Sequence, residues 1–162
     1  MTDLPNLIEA LAARDVRFIV IGGIAGIAHG AARVTFDIDC VYERSAENID
    51  RLVEAIALFT PTLRGAPAGL PFRFDAPTVL AGLNFTLDTT AGPLDLLGEV
   101  PGGGDYPRLL PHTVEMTVFG RACRVVSLRK LIDLKRAAGR PKDLEAIAEL
   151  ESLVDERGPD RG

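Results

Sequence analysis

Residues 16–42 read VRFIVIGGIAGIAHGAARVTFDIDCVY, and this stretch decides the fold. Residues 16–21 are nearly all apolar, which predicts a buried strand. Gly22-Gly23 then turns the chain into a short helix of small residues over 24–31. Residues 34–42 alternate in a way that predicts a second strand. Its apolar face would hold Val34, Phe36, Ile38, Cys40 and Tyr42.

Two aspartates in the predicted second strand form the first candidate site. Asp37 and Asp39 are two residues apart, so their side chains would point to the same face of the strand. Adjacent, partly buried carboxylates repel each other, and a bound divalent cation removes that penalty. Such carboxylates suit Mg²⁺ that also binds substrate phosphates. The pair therefore predicts a metal site, although a solvated strand face gives the same pattern.

The two glycines upstream predict a phosphate site. A strand that ends in Gly22-Gly23 and enters a helix exposes backbone N–H groups, and the missing side chains let a phosphate approach. Arg33 and Thr35 come just before the acidic pair, where Arg33 can contact phosphate or pair with a carboxylate. A phosphate site beside a metal site is typical of phosphoryl or nucleotidyl transfer.

A third acidic ligand is expected on a neighbouring strand. Asp95 is a lone carboxylate among apolar residues, so it needs a partner if it is buried. Asp88, on the other arm of the same predicted hairpin, is the competing candidate. We favour Asp95 because its flanking residues are more apolar.

The rest of the chain predicts an α/β (α+β) fold, with a mixed β-sheet, helices packed on it and two helices at the C-terminus. Helices are expected over 4–13, after Ser45, over 128–138 and over 141–154. Hairpins are expected over 84–100 and 113–126, and loops over 60–71 and 101–112. We assign one domain, with a core (1–126), a C-terminal helical hairpin (127–155) and a flexible tail (156–162).

Composition limits the possible functions. The 162 residues include 18 basic and 23 acidic side chains, for a net charge of −5, which opposes nonspecific binding of nucleic acid. Two cysteines and two histidines form neither a disulfide framework nor a zinc cluster. No apolar stretch approaches the roughly 18 residues that cross a bilayer. We therefore expect a cytoplasmic protein without membrane contact, and the oligomeric state stays open.

The pattern Ile21-Gly22-Gly23, then Arg33-x-Thr35-x-Asp37-Ile38-Asp39, resembles the signature of the DNA polymerase β-like nucleotidyltransferase superfamily. The resemblance implies a nucleotidyltransferase core. It also implies that Asp37, Asp39 and Asp95 hold two Mg²⁺ ions, or Mn²⁺. This chain has Ile24 where the family often has Ser, so one side-chain contact to phosphate is absent.

The C-terminal part is similar to minimal bacterial nucleotidyltransferases of the AbiEii type, which include toxins of toxin–antitoxin systems. The similar segments are 127–135 and 139–144. The resemblance implies active-site roles for Lys135 and Asp143. From the residues alone, a solvated helix face for Lys135 and a helix cap for Asp143 stay open.

We therefore expect a metal-dependent enzyme that moves an NMP from an NTP to an acceptor hydroxyl on RNA such as tRNA, on a protein or on a small molecule. Lys135 would neutralise charge that develops during transfer. The resemblance implies a possible antitoxin partner. The alternatives are a noncatalytic interaction protein on the same fold, and a metal-dependent phosphatase or nuclease that uses the same carboxylates.

Overall fold

The computed structural model describes residues 2–158. Its helices are α1 (Leu4–Ala13), α2 (Gly22–Ala28), α3 (Ala46–Ala57), α4 (Ala76–Ala81), α5 (Tyr106–Leu109), α6 (Leu128–Ala138) and α7 (Pro141–Arg157), with a 3-10 turn at Leu110–His112. Its strands are β1 (Phe18–Ile21), β2 (Ile38–Tyr42), β3 (Thr62–Leu63), β4 (Asn84–Thr89), β5 (Gly92–Leu97), β6 (Glu99–Val100), β7 (Gly104–Asp105), β8 (Thr113–Val118) and β9 (Arg121–Val126).

Seven strands form one mixed sheet in the order β3-β4-β5-β2-β1-β9-β8. Strand β2 lies at its centre, antiparallel to β1 and parallel to β5. Strands β6 and β7 pair separately. The predicted α+β fold with a mixed sheet is confirmed, and its central strands are buried on both faces, as their apolar sequences require.

Local sequence signals set the helix ends. Asp3, Ser45 and Ser127 each accept a backbone hydrogen bond at the start of α1, α3 and α6, as N-cap residues do. Gly139 ends α6 with a left-handed φ of 66°. Helix α6 packs against α7 and α2, so the C-terminal pair lies beside the glycine-rich helix.

Helix α7 continues through Glu156 to Arg157, and the side chain of Arg157 bonds to the buried His29. The flexible tail assigned to 156–162 stays a prediction. The remaining predicted tail, 159–162, lies outside the described residues. The division at residue 126 stays a prediction.

The second strand is shorter than the alternation indicates. It begins at Ile38, and Val34 and Phe36 are 80% and 67% exposed instead of facing the core. Its neighbour β1 ends at Ile21, which pairs with Asp39, so the residues before Ile38 have no strand beside them on that side.

The predicted loops also contain regular structure. Strand β3 lies within 60–71, and β7, α5 and the 3-10 turn lie within 101–112. Helix α4, which begins after the N-cap Asp75, has no counterpart among the predicted elements. No helix within residues 2–158 combines the length and apolar character needed to cross a membrane.

Candidate active site

Three carboxylates meet at two neighbouring central strands of the sheet. Asp37 immediately precedes β2, Asp39 lies in β2, and Asp95 is the register partner of Asp39 in the parallel strand β5. One carboxylate oxygen from each lies within 4.8 Å of the others, a spacing at which one cation can contact all three. The sequence-predicted cluster therefore exists as a geometric unit.

The two glycines make room for protein side chains. Gly22 has a left-handed φ of 66°, and a Cβ atom there would clash with Oδ2 of Asp39. A Cβ atom on Gly23 would lie 2.7 Å from Oγ1 of Thr35. The sequence predicts that a phosphate can enter this space. In the structure, the side chains of Asp39 and Thr35 occupy it. The phosphate role of the glycine N–H groups stays a prediction.

Thr35 fixes the orientation of Asp37. Its hydroxyl donates to Asp37, whose Oδ1 lies 3.2 Å away and whose main-chain oxygen lies 3.3 Å away. Because Thr35 also lies against Gly23, it connects the start of α2 to the acidic cluster. Its direct contact is with a carboxylate, and its predicted contact with nucleotide stays a prediction.

Asp39 is electrostatically strained in the free protein. Burial raises the pKa of Asp39 to about 7, and the nearby charge of Asp37 and the hydrogen bond and charge of Asp95 add to the rise. The charge of Lys135 acts in the opposite direction. A divalent cation removes the repulsion that holds a proton here, so the donor set suits such an ion.

Asp95 pairs with a cation from the neighbouring strands. Its Oδ1 lies 2.8 Å from Nη2 of Arg64, and the same Nη2 donates to the main-chain oxygen of Leu87 at 2.7 Å. One guanidinium therefore faces a cluster of three carboxylates. The negative charge that it does not balance is what a divalent cation would neutralise.

The competing acid, Asp88, is half-exposed and pairs with Nε of Arg64 at 3.1 Å, outside the cluster. Arg64 itself was missed by sequence reasoning. It follows the short strand β3, which lay inside a predicted loop, and no motif marks it. Only the pairing of β3 with β4 brings Arg64 to the site.

A second group of charges approaches from the C-terminal helices. Asp143 is 1% exposed, and its carboxylate binds Lys135 at 3.5 Å and Nε of Arg140 at 2.6 Å. Burial raises the pKa of Asp143, but the hydrogen bond from Arg140 and the charge of Lys135 outweigh it, so the pKa is lowered. The hydrogen bond with Asp143 raises the pKa of Arg140, and the charges of Asp39 and Asp95 add to the rise.

Arg33 turns away from the acidic cluster. Its Nε lies 3.2 Å from Oε1 of Glu149 on α7, and the same carboxylate accepts the backbone N–H of Ala32 at 3.1 Å. Of the two interpretations that the sequence left open, the structure contains the ion pair. A phosphate contact by Arg33 stays a prediction and would require this pair to open.

His29 and Cys40 take structural positions. His29 is 5% exposed; its Nε2 bonds to the main-chain oxygen of Val126 at 2.8 Å, and its Nδ1 accepts from Arg157 at 3.0 Å. Burial lowers the pKa of His29, which is consistent with a neutral ring. Cys40 is fully buried in β2, facing the core as predicted.

Comparison with known proteins supports the fold. No protein-family model matches the sequence, and no curated protein matches it. Among solved structures, the lincosamide antibiotic adenylyltransferase LnuA, solved with lincomycin bound, is similar with a TM-score of 0.63 and 15% identity, covering 94% of this chain and 96% of LnuA. The antibiotic-resistance factor ANT(2'')-Ia, solved with adenylyl-2''-tobramycin, gives a TM-score of 0.59 and 18% identity, covering 95% and 89%. The chain therefore has the fold of these nucleotide-transferring proteins.

Proposed function

We propose that this protein is a nucleotidyltransferase that moves an NMP from an NTP to a hydroxyl group of a small-molecule acceptor. The observation that carries the proposal is the cluster of Asp37, Asp39 and Asp95, whose carboxylate oxygens lie within 4.8 Å of one another. The two structural neighbours, solved with an antibiotic and an adenylylated antibiotic, favour a small acceptor.

The three carboxylates are the residues that would hold a divalent cation. Their oxygen-only donor set fits Mg²⁺, with Mn²⁺ as an alternative, and the number of ions stays a prediction. When bound, such an ion stabilises negative charge on phosphate oxygens and lowers the pKa of a bound hydroxyl.

The remaining charged residues suit the leaving group. In the reaction, the acceptor oxygen forms a bond to the α-phosphorus and the bond from this phosphorus to the bridging oxygen breaks. Pyrophosphate leaves, and the acceptor hydroxyl releases its proton to solvent. Lys135 has a side chain that is 18% exposed and is held by the buried Asp143. A cation held in this way can stabilise charge as it develops, because it needs little reorganisation during transfer.

The finer predictions from the sequence stand as alternatives. Transfer to tRNA or to a protein and an antitoxin partner rest on the resemblance, and a noncatalytic role rests on Ile24 where the family often has Ser. No contact within residues 2–158 bears on them. A phosphatase or nuclease would share the three carboxylates. The product distinguishes it, because nucleotidyl transfer releases pyrophosphate.

The test is incubation with each NTP labelled at the α-phosphate, with Mg²⁺ or Mn²⁺ and a panel of hydroxylated small molecules that includes lincomycin and tobramycin, beside a cell extract. We expect a labelled acceptor and stoichiometric pyrophosphate. The double variant D37A/D39A should lose the product. Asp88→Ala is the matched control, because it removes a nearby acid outside the cluster. Equal product from wild type and the double variant would overturn the proposal.

A further inference from the structure

A groove beside α2 is lined by uncharged residues. It has a volume of about 580 Å³ and lies between the start of α1, the flank of α2, residues 34–35 and the end of β8. None of its lining residues carries a charge, although a quarter of the chain is charged. Two other cavities differ in this respect: one is lined by Arg129, Asp133, Arg136 and Glu151, and the other by Glu99 and Arg108.

The groove gathers apolar side chains that stay partly exposed. Ile27, Val34 and Phe119 are 39%, 80% and 46% exposed, and all three line it. They come from α2, from the segment before β2 and from the turn after β8, so the tertiary structure brings them together. Exposed apolar residues that adjoin one another in a concave surface of this size are candidates for a small-molecule site.

The groove adjoins the acidic cluster. Thr35 lines the groove, and its Oγ1 lies 3.2 Å from Oδ1 of Asp37. One side chain therefore separates the apolar surface from a carboxylate of the candidate active site. A molecule that lies in the groove can extend a substituent past Thr35 to this carboxylate.

We propose that this groove holds an uncharged, apolar part of the acceptor, so that a hydroxyl group on the same molecule reaches the acidic cluster. This inference rests on the proposed function and deepens it by naming the acceptor class. The size is that of a small-molecule site, since such pockets span about 300–1,000 Å³. The absence of charge in the lining disfavours a phosphate backbone, which binds Lys and Arg, and a polycation, which binds carboxylates.

The binding test needs no NTP and no metal. Three probes share a ring and differ in charge: benzyl alcohol, benzylammonium and benzoate. In two-dimensional amide NMR spectra, we expect benzyl alcohol to shift the signals of Ile24, Ile27 and Phe119. At equal concentration, the two charged probes should shift these signals at least fivefold less. No shift with benzyl alcohol, or equal shifts with all three probes, overturns the inference.

A variant that adds one negative charge to the groove gives a second test. Val34→Asp adds a carboxylate to the groove at an exposed position, so the fold should survive. We expect this variant to lose the benzyl alcohol shifts and to gain shifts with benzylammonium. Leu58→Asp is the matched control, because Leu58 is 74% exposed and lies outside the groove, and it should behave as the wild type does.

A final measurement separates the acceptor from the nucleotide. In the labelling assay, Val34→Asp should lower the yield of labelled acceptor at least tenfold while the Kd for ATP with Mn²⁺ is unchanged. An equal loss of ATP affinity, or groove shifts caused by adenosine, would show that the groove holds the nucleobase and would overturn the inference. If the proposed function itself fails, the result differs from these two outcomes. The wild type would then give no labelled product, although the groove would still bind benzyl alcohol.

Discussion

Asp39 and Asp95 are directly opposed partners in the parallel strands β2 and β5, and both side chains lie on the face where Gly22 begins α2. Parallel register brings the two carboxylates together, and Asp37 completes the cluster from just before β2. Burial raises the pKa of Asp39, and the repulsion within this cluster adds to the rise, so the stability of the protein should depend on pH.

The pH dependence of stability has a definite sign. The pKa of Asp39 is about 7 in the folded protein, whereas its ordinary value is 3.8. Between about pH 4 and pH 7, the folded state therefore holds a proton on Asp39 that the unfolded state has lost. Asp39 therefore contributes stability that is present below about pH 4 and is lost as the pH rises through 7. Asp39→Asn lacks this titration, so we expect wild type to lose on the order of 2 kcal/mol relative to the variant between pH 5 and pH 8. Urea unfolding measures the free energy of unfolding of wild type and of the variant. If the difference between them were the same at pH 5 and pH 8, the raised pKa of Asp39 would be contradicted.

Divalent cations should stabilise the protein in a pH-dependent way. A cation competes with the proton on Asp39, so Mn²⁺ should raise the melting temperature more at pH 8 than at pH 5.5. Thermal unfolding with and without Mn²⁺ checks this. Asp39→Asn and Asp95→Asn should lose most of the effect, whereas Asp88→Asn should keep it. A shift of equal size in all these variants would point to binding elsewhere.

Arg64 should weaken the binding of Mn²⁺ to the acidic cluster when no nucleotide is present. Its guanidinium lies 2.8 Å from Oδ1 of Asp95, where its charge opposes a nearby cation. We expect Arg64→Gln to tighten Mn²⁺ binding about tenfold, as a charge a few ångströms away at intermediate dielectric predicts. Calorimetry measures the Kd. Arg51→Gln is the control, because Arg51 pairs with Glu47 within α3, and this variant should leave the Kd unchanged.

Gly22 should not tolerate a side chain. An Ala at this position keeps an unfavourable positive φ and directs its Cβ atom into Asp39. Gly65 has a φ of 78° with open space around it, so Gly65→Ala measures the backbone cost alone. We expect Gly22→Ala to be at least about 2 kcal/mol less stable than Gly65→Ala, because overpacking adds to the backbone strain. Chemical denaturation of the two variants gives the difference, and equal stabilities would exclude the clash.

The buried Asp143 should matter for folding, and Lys135 for transfer. Asp143→Ala leaves the cations of Lys135 and Arg140 without their partner, so we expect a loss of about 2–3 kcal/mol in the free energy of unfolding. Lys135→Met keeps the apolar stem and should cost less stability but lower the rate of transfer about a hundredfold. Lys130→Met, five residues earlier in α6, serves as the control for both measurements. A transfer rate in Lys135→Met equal to that of the control would remove Lys135 from the site.

Short-range signals account for the correct sequence predictions. Helix starts at Asp3, Ser45 and Ser127 follow from side chains that bond within the first turn. The predicted strand over 34–37 failed because alternation shows which faces a strand would have, but not whether a neighbour exists to pair with it. Val34 and Phe36 are exposed here, and Val34 instead lines the groove.

The sequence by itself determined the helices α1, α2, α3, α6 and α7, the central apolar strands and the proximity of Asp37 to Asp39, because each depends on residues a few positions apart. Only the tertiary structure decided that Asp95 joins them, that Arg64 contacts Asp95, and that Ile27, Val34 and Phe119 share one surface. These relationships depend on strand register and on packing between distant segments. No local pattern encodes them, since they arise when the whole sheet is assembled.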